Sequence, residues 1–394
     1  MNRRNLVIAA TLIAAIGGLA FAQSALQVAA DQQTVEVPLF EVDPLWPKPL
    51  PNHWILGMAI GVGIDSRDHV YIVHRGLSSL NARTEAGAAT DPPTGECCLP
   101  APPVLEFDPA GNLMNSWGGE GDGYTWPTSN HGIALDHMDN VWIGGNGQGD
   151  SHVVKFARDG RFLLEIGVPG QEPNSNAMDH FGRVAKISFD SEANEAYFAD
   201  GYSNRRVAVI DMNDGSIKRY WGAYGNRPDD TNIGPYDPDA PLPQQFRTPV
   251  HCAEPAHDGL VYVCDRPNNR IQVFNEDGTF VKERQIAPRT LGDGSIWDIA
   301  FSRDPEQRFM YVADGKNMKI YVLDRQSLDI LTSFGDGGRQ PGQFFAVHSI
   351  ATDSEGNIYT TETYEGKRVQ KFVYRGIGRV QAGQHQGVPW PGGR

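Results

Sequence analysis

Three histidines and three further polar side chains carry the chemistry legible in this sequence. His131 opens the stretch His-Gly-Ile-Ala-Leu-Asp136, His251 opens His-Cys-Ala-Glu254, and His348 opens His-Ser-Ile-Ala-Thr-Asp353. These are copies of one unit, and the copies between them carry Ala185 and Trp297 at the same place. Taken singly, each histidine would be read as a hydrogen-bonding group at the start of a strand. Three at one repeat position, absent from the intervening copies, predict imidazoles that converge. Three imidazoles with a fourth position open suit a divalent metal, zinc above all, in a catalytic site. The other eight histidines (His53, His69, His74, His137, His152, His180, His257 and His385) share no such register.

Arg75, Tyr202 and Arg266 each follow the second strand of a copy, where corner loops reach the mouth of a channel. The competing reading is that such Asp-Arg and Asn-Arg corners tie repeats together through salt bridges. Two guanidiniums beside a metal would grip a substrate carboxylate by paired hydrogen bonds. A tyrosine within reach could exchange a proton. His74, just before Arg75, either supports that arginine or packs.

The elements that must position these groups repeat six times. First strands begin at Ile60, His131, Ala185, His251, Trp297 and His348. Each is followed by a Gly/Asp/Asn turn, a second strand rich in Tyr and Val, a corner and a third strand. The runs are short, rich in β-branched and aromatic residues, and bounded by turn formers. No copy could bury its own apolar face, so the expectation is an all-β, six-bladed β-propeller over 54–375. Alternate blades then stand a third of a turn apart and present their histidines to the axis. A linear solenoid would show tighter periods and caps, which are missing. Insertions at 77–103 and 223–245 should be exposed loops. Residues 23–53 read as an extended lead-in, and 376–394 as a flexible tail.

Residues 1–22 combine Arg3-Arg4, an apolar run from Leu6 to Leu19 and Ala20-Phe21-Ala22, the pattern of a signal peptide. The expectation is export, periplasmic or secreted, with no integral membrane segment after cleavage. Cleavage would remove two arginines and no acid, taking the formal charge from −14 to −16. So acidic a chain, without a basic run, is no partner for nucleic acid. Cys252 and Cys264 fall on neighbouring strands, where a bridge is open. Cys97-Cys98 reads as a surface-loop pair rather than a metal site.

The corner Asp265-Arg-Pro-Asn-Asn269-Arg270-Ile271-Gln-Val-Phe274 and the linker from Phe334-Gly335 through Pro341-Gly342-Gln343-Phe344 resemble the NHL-repeat family, whose fold is this propeller. A narrower likeness runs through Ile-Val-His74-Arg75-Gly76, Asn130-His131-Gly132, Asp200-Gly201-Tyr202-Ser-Asn204, Cys264-Asp265-Arg266 and Phe344-Phe-Ala-Val-His348. There the chain resembles the peptidyl-α-hydroxyglycine α-amidating lyases. The resemblance implies zinc on His131, His251 and His348, with Tyr202 and Arg75 central to catalysis and Arg266 assisting. It implies a carbon-nitrogen lyase that splits a peptidyl-α-hydroxyglycine into an amide and glyoxylate. The substrate would be a small molecule or peptide with a carboxylate, supplied by a separate monooxygenase.

The resemblance also implies calcium on the backbone carbonyls of Val62 and Ile133, but Ser349 replaces the family's aspartate after the last histidine. Ala346 replaces a methionine associated with substrate binding. Gly182 with Ser203, and Tyr262 with Val273, stand where the animal enzymes have two disulfides. The alternatives are another metal-dependent propeller enzyme, such as a lactonase-like hydrolase built on carboxylates and Asn, and a non-catalytic NHL-repeat binding protein.

Overall fold

The structure, a computed structural model, describes residues 34–392. The expected signal peptide lies outside the described residues. Six four-stranded antiparallel sheets are arranged as the blades of a propeller. Their innermost strands are Ala59–Ile64, Asn130–Leu135, Val184–Asp190, Val250–Pro255, Asp298–Phe301 and Val347–Thr352. Each innermost strand pairs with the next strand in sequence, and the blade continues outward in the same up-and-down way.

Blades adhere because each sheet lays one face on its neighbour. Six apolar clusters form, each drawing on two adjacent blades. Trp142 and Ile166 of blade two meet Phe181, Ile187 and Phe198 of blade three in one. In another, Trp46 and Phe107 pack on Tyr359 and Val369, joining blade one to blade six. Burial of this apolar surface is the main favourable term, and no blade could achieve it alone.

Two of the corners that follow a second strand are locked by buried ions and amides. Asp265 accepts from Arg270 Nε at 2.7 Å and Asn268 Nδ2 at 2.8 Å, and both charged side chains are fully buried. Asp200 does the same with Arg206 (2.7 Å) and Asn204 (2.8 Å). Asn269 takes a left-handed turn (φ 53°), which Asn tolerates better than most residues.

Two expectations for the chain ends need correction. Residues 34–43 are no mere lead-in: Thr34–Asp43 is the outermost strand of blade six, paired antiparallel with Arg368–Gln381. The first described residues thus close the last blade, with Val37, Phe40 and Val42 buried beside it across a shift in register between Pro38 and Phe40. Nor is the tail flexible throughout. Its first residues continue the strand to Gln381, and beyond it Gly335 N donates to Gly387 O (2.8 Å) and Val42 N to Pro389 O (2.7 Å). The Gly- and Gln-rich composition hid a backbone held by hydrogen bonds rather than by side-chain packing. Every blade also has a fourth strand that the repeat pattern did not reveal. Its half-exposed residues, such as Leu113–Trp117, lack a continuous apolar run.

Candidate functional site

The three histidines lie in a local irregularity of their strands. Pairing between first and second strands slips between Asn130 and Ile133, between Val250 and Cys252, and between Val347 and Ser349. Each slip brackets a histidine, and slips fall at the same position in blades one and three. Such bulges release a residue from strict alternation and re-aim its side chain. Here they bring His131, His251 and His348 together on the axis, with ring centroids 4.8–5.1 Å apart.

The intervening blades supply the anchors. His131 Nδ1 meets the carbonyl of Ala185 at 2.6 Å, and His348 Nδ1 that of Ile60 at 2.6 Å. His251 Nδ1 meets the carbonyl of Trp297. Ala185, Ile60 and Trp297 occupy the histidine position in blades three, one and five. A carbonyl only accepts, so each Nδ1 carries the proton and each Nε2 lone pair is free to ligate.

All three rings are buried. Burial, and then the nearby His348 and Arg75, hold His131 well below its ordinary range. Burial, Arg266 and His348 do so for His251. Burial lowers His348 to about 3, with Arg266 and Arg75 adding to the effect. Three neutral imidazoles result, with candidate ligand atoms all within 4.8 Å of one another. The Tyr202 hydroxyl is the donor at hand, 2.7 Å from His131 Nε2 and 3.1 Å from His251 Nε2. One hydroxyl proton cannot satisfy two such acceptors, whereas a cation can satisfy three. The donor set fits a metal ion, and a nitrogen-only set suits zinc.

Tyr202 reaches the axis because Gly201 lies against the backbone of Val250, where a Cβ would collide. Arg266 Nη1 lies 3.5 Å from the Tyr202 hydroxyl. Its guanidinium stacks 4.8 Å from the Trp297 ring centroid, and its buried Nε has no partner. Asp265, adjacent in sequence, is taken by Arg270, so Arg266 keeps only a distant acid, Asp293 at 3.9 Å. Arg75 donates to Asn146 Oδ1 at 2.8 Å and to Asn130 O at 3.3 Å, and among the described residues it enters no ion pair. Burial lowers its pKa, against the opposing influence of Tyr202 and Tyr364. The corner-bridge reading therefore applies to Arg206 and Arg270, not to Arg75 or Arg266.

His74 supports Arg75. Its Nδ1 accepts from Gly57 N (3.2 Å) and Gly76 N (3.0 Å) on either side of the arginine's loop, while Nε2 donates to Pro102 O at 2.9 Å. Sequence reasoning missed Asn146, Trp297 as a platform for Arg266, and a charged group one residue beyond the histidine position. There Lys186 Nζ donates to Asp298 Oδ1 and Glu254 Oε1, both at 2.6 Å. Aligning the copies one residue further on would have put Lys186, Asp298 and Ser349 in one column.

Val62 and Ile133 line the channel on the far side of the histidines, where it widens to a funnel of about 760 Å³. That mouth includes none of Arg75, Tyr202 and Arg266. Of the carboxylates lining that mouth, Glu254 already holds the Lys186 ammonium. Of the positions matching the family's disulfides, Ser203 N donates to Gly182 O at 2.8 Å, and Tyr262 faces Val273 across a strand pair. Both pairs are thus spatial neighbours. Cys252 and Cys264 are cross-strand partners bridged with Cα atoms 4.8 Å apart, and Cys97 is bridged to Cys98.

No family model matches the chain. It is 23% identical over 325 residues to peptidyl-glycine alpha-amidating monooxygenase B of Xenopus laevis, an alignment taking in 80% of this chain and 34% of that protein. The Rattus norvegicus peptidylglycine alpha-amidating monooxygenase is 23% identical over 334 residues, 82% of this chain and 31% of that one. The chain thus spans about a third of the length of these relatives. NHL repeat-containing protein 3 of Mus musculus is 25% identical over 357 residues, 86% of this chain and 85% of its own. A solved streptogramin B lyase shares the fold, with a TM-score of 0.50 at 12% identity over 88% of this chain and 99% of that one. The molecule is a six-bladed β-propeller, similar in sequence to NHL repeat-containing protein 3, with a three-histidine site able to bind a metal. Within that class its sequence is similar to the amidating monooxygenases.

Proposed function

We propose that the protein is a zinc-dependent lyase cleaving the carbon-nitrogen bond of a peptidyl-α-hydroxyglycine-like carbinolamine to an amide and glyoxylate. The observation that carries this reading is one phenol set between two metal-competent imidazoles and a guanidinium. A zinc ion bound by His131, His251 and His348 would acidify the substrate hydroxyl. Arg75 and Arg266, short of carboxylate partners, bind the substrate carboxylate and orient the carbinol carbon towards Tyr202. The hydroxyl loses its proton, the carbon-oxygen double bond forms, the carbon-nitrogen bond breaks, and the departing amide nitrogen gains a proton. Tyr202 handles this exchange, and no co-reactant is needed.

A lactonase-like site would need unpaired carboxylates on the axis, and Asp298 and Glu254 are both already paired with Lys186. Supply of the hydroxylated substrate by a separate monooxygenase, and export to a periplasm or beyond, belong to the same proposal. Two bridged cysteine pairs agree with an oxidising compartment. Among the described residues no helix is long and apolar enough to cross a membrane.

The test is glyoxylate release from α-hydroxyhippurate by wild type and Tyr202→Phe. Release by wild type, lost in the variant with metal content unchanged, is expected. No release from the metal-loaded wild type, with this substrate or a peptidyl-α-hydroxyglycine, would refute the reading.

A further inference from the structure

The geometry points to Lys186 as a built-in cation that takes the place of a second, divalent metal in the channel. Its ammonium has three protons and three partners: Asp298 Oδ1 and Glu254 Oε1 at 2.6 Å, and the carbonyl of Ile299 at 3.2 Å. Both carboxylates take further donors, Asp298 on its second oxygen and Glu254 on the oxygen that holds Lys186. Asp298 Oδ2 accepts from Ser349 Oγ at 2.8 Å and Ile350 N at 3.0 Å, and Glu254 Oε1 from Ser188 Oγ at 2.6 Å. Lys186 belongs to blade three, Glu254 to blade four, Asp298 to blade five and Ser349 to blade six. A single positive charge ties four successive blades together beneath the histidines.

This is the arrangement of a hard-cation site, two carboxylates with a backbone carbonyl, filled by an ammonium. Ser349 completes the exchange: a carboxylate after His348 would add a third negative charge beside Asp298, whereas the hydroxyl donates to it. The Lys186 side chain is 16% exposed and the Asp298 side chain 2%, so the pair is largely withdrawn from water. Removing one partner of such a pair strands the other charge. The inference holds whatever substrate the histidines serve, and its test reads calcium binding and melting rather than turnover.

Calcium titration by calorimetry and thermal melting, with and without calcium, would be run on zinc-loaded wild type and Lys186→Met. The wild type should take up no calcium and melt at the same temperature in its presence. Lys186→Met keeps the side chain's bulk but frees the carboxylates. It should melt lower by on the order of 5 °C without calcium, and calcium should bind and restore much of that loss. Calcium binding to the wild type would overturn the inference. So would a variant as stable as wild type, or a loss of stability that calcium leaves unchanged. Should Lys186→Met not fold, the neutral triple variant Lys186→Met/Glu254→Gln/Asp298→Asn must fold. Its failure to fold would show that stranded charge is not what Lys186 prevents, and would equally refute the idea.

Discussion

Two layers of one channel, a single residue apart in the repeat, handle charge in opposite ways. In the upper layer His131, His251 and His348 use carbonyls to fix their Nδ1 protons, and the Nε2 lone pairs of His131 and His251 are left sharing one phenol. In the lower layer Lys186, Asp298, Glu254 and Ser349 satisfy one another. The first layer is assembled to receive a cation and the second contains its own. Six equivalent strands thus supply both a reactive site and a staple, and what separates them is which polar atoms are left without a protein partner.

The sharpest way to break this contrast is to compare substitutions in the two layers. His348→Ala should abolish stoichiometric metal binding and reduce glyoxylate release by on the order of 1,000-fold or more, while the apoprotein's melting temperature barely changes; metal analysis, turnover and calorimetry decide it. Next in size is Tyr202→Phe, which should keep the metal and lose roughly 100- to 10,000-fold in kcat. Arg266→Ala should act mainly through KM, raising it by on the order of 10- to 100-fold, with a smaller fall in kcat. Equal KM values for the variant and wild type would remove Arg266 from carboxylate binding.

Acid and base should also separate the layers. In metal-free protein His348 titrates at about 3, against an ordinary 6.5. The unfolded chain therefore takes up protons that the folded chain refuses. This histidine's contribution to stability is present above pH 6.5 and lost as pH falls from there towards 3, at up to about 1.4 kcal/mol per pH unit. Lys186 behaves oppositely. Burial alone would lower its pKa, but Asp298 and Glu254 outweigh that and raise it above 10.5. Its contribution is complete below pH 10.5 and lost only in stronger alkali. Melting curves of apoprotein across pH should show the acid loss first, and zinc should raise the whole curve while leaving that acid slope in place. A smaller effect is expected of His74→Gln. Losing the acceptor for two backbone N–H groups should cost about 1–3 kcal/mol of stability, and displacement of Arg75 should show as a raised KM with metal binding intact.

Much of this was legible because repeats amplify weak signals. One histidine at a strand start means little, but His131, His251 and His348 in alternate copies specify convergence once the ring is inferred. The corner motif Asp265 to Arg270 was equally readable, since a buried Asp-Arg pair needs both residues at fixed spacing. The closing strand Thr34–Asp43 was not, because its partner Arg368–Gln381 lies at the other end of the chain and its own residues mix polar and apolar. The bulges that re-aim the histidines leave no mark in residue type. Lys186 was missed for a different reason: its two acids sit on other blades, Asp298 at the same repeat position and Glu254 at another, and only the closed ring brings them within 2.6 Å of the ammonium.

We infer that the upper layer binds a metal ion which the lower layer cannot hold in its place. The most direct measurement is bound zinc in protein purified without a metal-affinity tag, in wild type, His251→Ala and Lys186→Met. Close to one zinc per chain is expected in wild type, almost none in His251→Ala, and retention in Lys186→Met. A wild type that takes up no zinc, or a His251→Ala protein that keeps it, would rule out the three histidines as a metal site.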